Sequence, residues 1–206
     1  MLTKDDARTL YRARRRVLGA PARDAEAARI AAHLLPWLEE AAPRRRVASV
    51  LSYGAEPPTG PLNAELHARG FAVVVPVCEP ERLLSWVRWH PGVPMGRSAV
   101  APIDEPIGTR EDVRSMARTD VVLVPAQLVD SSGARMGQGG GYYDRFIASL
   151  DALPARPVLL ASVYRHELLP AGSFEVDALD RRVDGVVTAD GFTWFAPPLP
   201  PDGPLA

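Results

Sequence analysis

The chain has 206 residues, enough for one sizeable hydrophobic core with at most an appendage. A hydrophobic content of 47% and a charged content of 24% exclude wholesale disorder. A net charge of −1 argues against a polyanion binder for the chain as a whole but leaves a local basic patch open, and a single cysteine excludes an internal disulfide. No apolar leader and no run of about 20 apolar residues is visible, so a cytoplasmic protein without membrane contact is expected.

Two helices are predicted at the start of the chain. Thr3 can cap a helix over residues 3–18, which the segment from Gly19 to Pro21 should end. A second helix is predicted over residues 24–41, with Pro36 as a point of bending or division. The first helix carries basic residues three or four positions apart, namely Lys4, Arg8, Arg12, Arg15 and Arg16. On the residues alone, such a stripe is more typical of a solvated face than of a ligand site.

Downstream, the pattern changes to short apolar runs that alternate little, as in strands covered on both faces. These predicted strands span residues 47–53, 71–77, 121–125, 158–164 and 185–188. Crossover helices are predicted over residues 61–69 and 142–150. Residues 83–89 alternate better and predict an edge or antiparallel strand. The order predicts an α/β, single-domain, three-layer fold with a mostly parallel central sheet flanked by helices.

Two stretches are predicted to lie outside this sheet. Residues 91–117 hold many prolines, glycines and charges and predict a long surface excursion, often functional in a compact domain. Residues 196–206 are rich in proline and are predicted to be a disordered tail. The single α/β domain is therefore predicted to span residues 1–195.

A glycine-rich turn between a buried strand and a helix is the most informative segment. Its residues are Arg135, Met136, Gly137, Gln138, Gly139, Gly140, Gly141, Tyr142, Tyr143, Asp144 and Arg145. Glycines let the backbone approach a ligand closely, and free N–H groups at a helix start attract anionic oxygen. Arg135 and Arg145 flank the turn and can pair with phosphate. We interpret the turn as a phosphate site rather than a flexible loop, although it matches neither the P-loop nor the dinucleotide fingerprint.

Asp144 lies just inside the predicted helix start. Its carboxylate either compensates the helix dipole or holds Mg²⁺, which prefers oxygen ligands. The residues alone leave both roles open.

This segment resembles the signature of the 5-formyltetrahydrofolate cyclo-ligase (methenyltetrahydrofolate synthetase) family. Weaker matches follow in the family's order along nearly the whole chain. They are the basic first helix with Lys4 and Arg8, the run from Ser52 to Glu56, Pro91-Gly92, the run from Ile103 to Pro106, and Asp180 before Val183-Asp184. The resemblance implies ATP-dependent cyclisation of 5-formyltetrahydrofolate to 5,10-methenyltetrahydrofolate through a phosphorylated formyl group, with Mg²⁺ required.

The resemblance also implies roles for particular residues. Lys4 and Arg145 would be catalytic. ATP would contact Lys4, Arg8, Arg135, Met136, Gly137, Gln138, Gly139, Gly140, Gly141, Tyr142 and Tyr143. The folate would contact Leu51, Glu56, Gln138, Gly139, Gly140, Gly141 and Tyr142. Asp144 and Asp180 would hold Mg²⁺. A monomer whose partners are ATP and 5-formyltetrahydrofolate is expected.

Several positions depart from the family pattern. Leu179 stands where a histidine is usual, Gln138 where an aromatic residue or arginine is usual, and Ala126 where many members have glycine. A diverged member with another substrate is one alternative. Another is a phosphate-ligand enzyme of similar scaffold, such as a sugar-phosphate isomerase or CoA-transferase-like protein. A non-catalytic nucleic-acid-binding or regulatory protein that uses the first helix is disfavoured by the near-zero charge.

Overall fold

The chain folds around an eight-stranded sheet in a computed structural model that describes residues 1–195. The tail predicted to be disordered, residues 196–206, lies outside the described residues. The helices are α1 (Lys4–Val17), α2 (Ala20–Ala41), α3 (Gly60–Ala68) and α4 (Tyr142–Leu150). The strands are β1 (Arg46–Ala48), β2 (Ala72–Glu79), β3 (Leu83–Arg88), β4 (Met95–Arg97), β5 (Asp104–Pro106), β6 (Arg110–Glu111), β7 (Val121–Pro125), β8 (Leu128–Asp130), β9 (Arg135–Met136), β10 (Val158–Ser162), β11 (Leu168–Leu169), β12 (Gly185–Thr188) and β13 (Gly191–Trp194).

The large sheet is mostly parallel, which confirms the predicted fold class. Its strand order is β13-β12-β10-β7-β1-β2-β3-β6. The five strands from β12 to β2 run parallel, whereas β13 and β3 pair antiparallel with their neighbours. The prediction of an antiparallel strand at residues 83–89 is therefore confirmed. A separate small sheet contains β11, β8 and β9.

Helices cover both faces of the sheet, giving three layers. Successive residues of the buried strands point to opposite faces: Val47, Val121 and Leu123 pack with α2 and α3. Ala48 and Val122 pack instead with α4. Helix α1 stands apart and packs on the small sheet through Ala7 and Tyr11.

The beginning of α2 differs from its prediction. The helix begins at Ala20 rather than at residue 24, with Gly19 as its N-cap and Pro21 in its first turn. Proline is tolerated there because the first N–H groups of a helix have no intrahelical partner. Pro21 thus helps to begin the second helix instead of ending the first. Residues 20–41 remain one helix through Pro36.

The first strand is shorter than predicted, and residues 91–117 are more structured. After Ala48 and Ser49 the chain leaves the sheet, because the carbonyl of Val50 accepts hydrogen bonds from the side chains of Thr59 and Asn63. The predicted surface excursion contains β4, β5, β6 and a 3₁₀ helix over Val113–Arg118. Its β6 lies beside β3 at the edge of the large sheet.

Candidate active site

A cleft opens where the strand order reverses. The chain goes from β1 to β2 on one side and later places β7 on the other side of β1. In open parallel sheets, ligands bind beyond the carboxyl ends of strands at such a reversal. A cleft of about 690 Å³ lies there, with Leu51 following β1, Cys78 at the end of β2, and Ala126 following β7 among its lining residues.

The cleft collects every site residue that the sequence predicts. They are Lys4, Arg8, Leu51, Glu56, Arg135, Met136, Gly137, Gln138, Gly139, Gly140, Gly141, Tyr142, Tyr143, Asp144, Arg145 and Asp180. These residues come from four separate segments of the chain. Their juxtaposition therefore depends on the tertiary fold.

The glycine turn connects β9 to α4 in a shape that favours glycine. Gly139 has a φ of 98° and Gly141 a φ of 72°, a left-handed region that other residues rarely adopt. Gly141 is also the N-cap of α4 and has no side chain to accept from the first N–H groups of the helix. Those N–H groups need another acceptor, and an anion in the cleft can supply it.

Helix α1 lies along the glycine turn and turns its basic stripe toward it. The Nε of Arg8 donates to the carbonyl of Gly137 at 3.3 Å. Arg12 donates to the backbone and side-chain oxygens of Gln138 at 3.2 and 3.0 Å. The interpretation of this stripe as a solvated face is therefore wrong for Arg8, which is half-buried, whereas Arg12 contacts the turn but stays exposed. Only Arg16, on the far side, is exposed without a partner among residues 1–195.

Lys4 is held by two carboxylates at one end of the cleft. Its Nζ lies 2.6 Å from Asp177 and 2.5 Å from Asp180. Burial lowers the pKa of Lys4, but the hydrogen bonds to both aspartates outweigh it and leave the pKa above its ordinary value. The amine is therefore a permanent cation at neutral pH.

Arg135 and Asp144 form an ion pair behind the glycine turn. The Arg135 side chain is only 2% exposed, and its guanidinium lies 2.7 Å from Oδ1 of Asp144. Burial lowers the pKa of Arg135 and Asp144 opposes that shift. The same Oδ1 accepts from the backbone N–H of Arg181 at 3.1 Å. Asp144 is thus fixed in place by tertiary contacts, which a simple helix cap would not require.

Glu56 marks the opposite end of the cleft. Its Oε2 accepts from the N–H of Tyr53 at 3.0 Å, and its Oε1 accepts from Gln138 at 3.2 Å. Gln138 also accepts from Gln127 at 2.5 Å. Gln138 therefore joins the glycine turn to the carboxylate at the other end.

A buried ion pair beneath the cleft is absent from the sequence prediction. Arg15 is 3% exposed and meets the fully buried Glu167 through two hydrogen bonds of 2.6 and 2.8 Å. Arg15 also donates to the carbonyl of Ala126 at 2.7 Å. Burial raises the pKa of Glu167, and Arg15 opposes that rise. Only tertiary structure distinguishes Arg15 from the other arginines of its helix.

Three further lining residues, Cys78, Arg82 and Ile103, were also missed as site residues. Strand β2 runs parallel to β1, so the β2–β3 hairpin must reach the same edge of the sheet as the glycine turn. The predicted strand order alone therefore indicates that a residue of this hairpin, such as Arg82, lies near the glycine turn. Burial, together with Glu105, raises the pKa of Cys78 to about 12, which keeps its thiol protonated at neutral pH. A thiol in that state is a poor nucleophile, because the thiolate is the reactive form.

Across residues 1–195, no helix is long and apolar enough to cross a membrane. The same residues contain no cluster of three or more histidine, cysteine, aspartate or glutamate side chains that could hold a metal ion.

The fold and the cleft define an α/β protein with a glycine turn at the start of a helix, in a cleft where the strand order reverses. A sequence profile of the 5-formyltetrahydrofolate cyclo-ligase family matches residues 1–189, and the chain belongs to that family. This confirms the resemblance read from the glycine turn.

Individual relatives agree with the family assignment. The 5-formyltetrahydrofolate cyclo-ligase of Escherichia coli K12 is 30% identical over 181 residues, 87% of this chain and 96% of the relative. The 5,10-methenyltetrahydrofolate synthetase structure from Aquifex aeolicus superposes with a TM-score of 0.74 at 22% identity, covering 98% and 97% of the two chains. The Mycoplasma pneumoniae synthetase gives 0.71 at 16% identity, covering 90% and 98%. At those identities the two structures support the fold alone.

Proposed function

We propose that this protein is an ATP-dependent ligase that cyclises 5-formyltetrahydrofolate to 5,10-methenyltetrahydrofolate. One observation carries the proposal: a single cleft joins a cation-rich glycine turn to a carboxylate, Glu56, at its other end. The turn suits a triphosphate. The carboxylate suits the paired N–H donors of an aminopyrimidinone ring, because an ionised carboxylate has two acceptor oxygens.

The formyl oxygen of the substrate is a poor leaving group, and phosphorylation converts it into a good one. The formyl oxygen attacks the γ-phosphorus of ATP, and the bond to the β-phosphate oxygen breaks to release ADP. The neighbouring amine then attacks the formyl carbon. The carbon–oxygen bond breaks, phosphate leaves with that oxygen, and the amine loses its proton as the ring closes. Such a transfer depends chiefly on positioning and charge neutralisation.

The chain's own residues supply those two effects. The N–H groups of the glycine turn and Arg8 bind the phosphates. Lys4 and Arg145 neutralise the charge that develops on the transferred phosphoryl group. Leu51 and Glu56 hold the pterin ring, and Gln138 lies between the two substrates.

Mg²⁺ fits the acidic side chains near the turn. Asp144 and Asp180 each keep one carboxylate oxygen without a hydrogen-bond partner among residues 1–195. Oxygen ligands suit Mg²⁺, which usually takes only one or two carboxylates and fills its shell with phosphate oxygens and water. Two aspartates are therefore enough. When bound, the ion would neutralise charge on the phosphates.

The activity is tested by absorbance with purified protein. Methenyltetrahydrofolate absorbs in the near ultraviolet and formyltetrahydrofolate does not, so we expect an ATP-dependent rise. No rise under any ATP and magnesium concentration would contradict the proposal. A substrate analogue lacking the formyl group should give no signal.

The metal assignment is tested by Asp144→Asn. This change removes the charge but keeps the shape and the contact with Arg135. We expect the magnesium concentration for half-maximal rate to rise roughly tenfold, because one charged ligand is lost. Glu40→Gln, on the exposed face of α2, is the charge-matched control. An unaltered magnesium titration would remove Asp144 from the metal site.

A further inference from the structure

Six cationic side chains line the cleft, and four of them are paired within residues 1–195. The paired cations are Lys4, Arg8, Arg135 and Arg181, each with at least one aspartate. The other two, Arg82 and Arg145, make no side-chain hydrogen bond or ion pair within the same residues. Arg145 belongs to the glycine-turn segment. Arg82 comes from a different part of the fold and has no assigned role.

Arg82 lies directly against the glycine turn. It sits at the apex of the β2–β3 hairpin, in a 3₁₀ turn over Pro80–Arg82. A Cβ placed on Gly141 would lie 3.7 Å from the Nη1 of Arg82. On the other side, a Cβ on Gly139 would lie 3.4 Å from the guanidinium carbon of Arg8. Two guanidinium groups therefore bracket the turn, one from α1 and one from the hairpin.

The hairpin presents Arg82 in a strained conformation. Glu81 and Arg82 have φ values of 59° and 61°, two consecutive non-glycine residues in the left-handed region. Such conformations are unfavourable for residues other than glycine, and tight hairpin turns often require them at consecutive positions. Here the β2–β3 ladder fixes both sides of the turn, with Glu79 paired to Leu83. No acceptor among residues 1–195 explains why the guanidinium lies over Gly141.

We propose that Arg82 is a further phosphate-binding residue of this site. Its guanidinium donates to triphosphate oxygens from the side of the glycine turn opposite to Arg8. A guanidinium forms strong, two-pronged hydrogen bonds with phosphate, and an unpaired one carries its full charge to the ligand. This inference rests on the proposed function, which places ATP phosphates on the turn.

The test is the affinity for phosphate chains, measured by calorimetry with ATP and with inorganic tripolyphosphate. Because a lost charged hydrogen bond weakens binding about ten- to hundredfold, Arg82→Ala should raise both dissociation constants by that factor. Arg82→Lys keeps the positive charge but cannot form the two-pronged hydrogen bonds of a guanidinium. Its affinity should therefore lie between those of Arg82→Ala and the wild type. Arg88→Ala is the matched control, since Arg88 is exposed on β3 of the same hairpin and does not line the cleft. It should change neither constant by more than about twofold.

Two results would overturn the assignment. One is unchanged affinity for both probes in Arg82→Ala protein that melts at the wild-type temperature. The other is an effect confined to the Michaelis constant of folates with several glutamates, which would make Arg82 a ligand of the folate tail instead. The two proposals can fail separately. If the wild-type protein has no cyclisation activity but binds tripolyphosphate, and Arg82→Ala loses that binding, the role of Arg82 is supported and the proposed function is wrong.

Discussion

The two ends of the cleft are built in opposite ways. The end that we propose binds phosphate, called the phosphate end below, is formed mainly by one continuous segment, residues 135–145, and helix α1 lies beside it. The end around Glu56 is formed by the loop that follows β1, with Leu51 and Tyr53, and it meets the glycine turn through Gln138. The first end presents backbone N–H groups together with guanidinium groups, whereas the second presents the carboxylate of Glu56. The backbone N–H groups of the glycine turn are encoded locally in the sequence. The contact between this turn and the loop that carries Glu56 depends on the tertiary fold.

The structure also shows how the two ends are held together. Arg15 of α1 binds Glu167 and the carbonyl of Ala126, beneath the glycine turn. Glu167 accepts from the N–H of Tyr164, whose hydroxyl donates to the carbonyl of Ala55 next to Glu56. One buried ion pair therefore lies between both ends.

The largest expected effect comes from breaking that connection. Glu167→Ala leaves the guanidinium of Arg15 buried without its partner, which costs about 3–5 kcal/mol of unfolding free energy. Because both ends depend on this pair, the Michaelis constants for ATP and for folate should rise together. Denaturant unfolding and steady-state kinetics measure the two effects.

The double variant Arg15→Met, Glu167→Leu is the control for the buried charge. Well-packed apolar pairs often replace buried ion pairs without loss, so part of the stability should return. Two results would show that the pair does not hold the ends together. One is a loss of unfolding free energy below about 1 kcal/mol in Glu167→Ala, and the other is a change in only one of the two Michaelis constants.

The difference between a locally encoded end and one that depends on tertiary contacts also explains which features could be predicted from the sequence. The glycine turn, α4 and β7 were predictable because spacing and glycine content are local properties. The end of β1 was not predictable from local sequence. It depends on hydrogen bonds that the side chains of Thr59 and Asn63 donate to the carbonyl of Val50, where the chain has left the sheet. Arg15 looked like any other arginine of α1. Its burial depends on Glu167, 152 positions away.

The next expected effect is confined to the phosphate end. Gly140→Val places a Cβ 3.1 Å from the Tyr142 ring and covers the backbone that should approach the phosphates. We expect the Michaelis constant for ATP to rise roughly ten- to hundredfold, as charged hydrogen bonds are lost, while that for folate changes less. Gly60→Val is the control, because a Cβ on Gly60 meets nothing within 4 Å. Unchanged ATP kinetics in folded Gly140→Val protein would contradict backbone binding of the phosphates.

The smallest expected effect belongs to the loop-built end. Glu56→Gln keeps the size of the side chain but replaces one acceptor oxygen with a donor. Hydrogen bonds to a charged group contribute more than neutral ones, so the Michaelis constant for folate should rise roughly tenfold. That for ATP should stay near the wild-type value. Glu40→Gln serves as the control. Since Glu56 contacts Gln138 of the glycine turn, an equal rise for ATP would mean that this contact couples the two ends and that they do not bind their substrates independently.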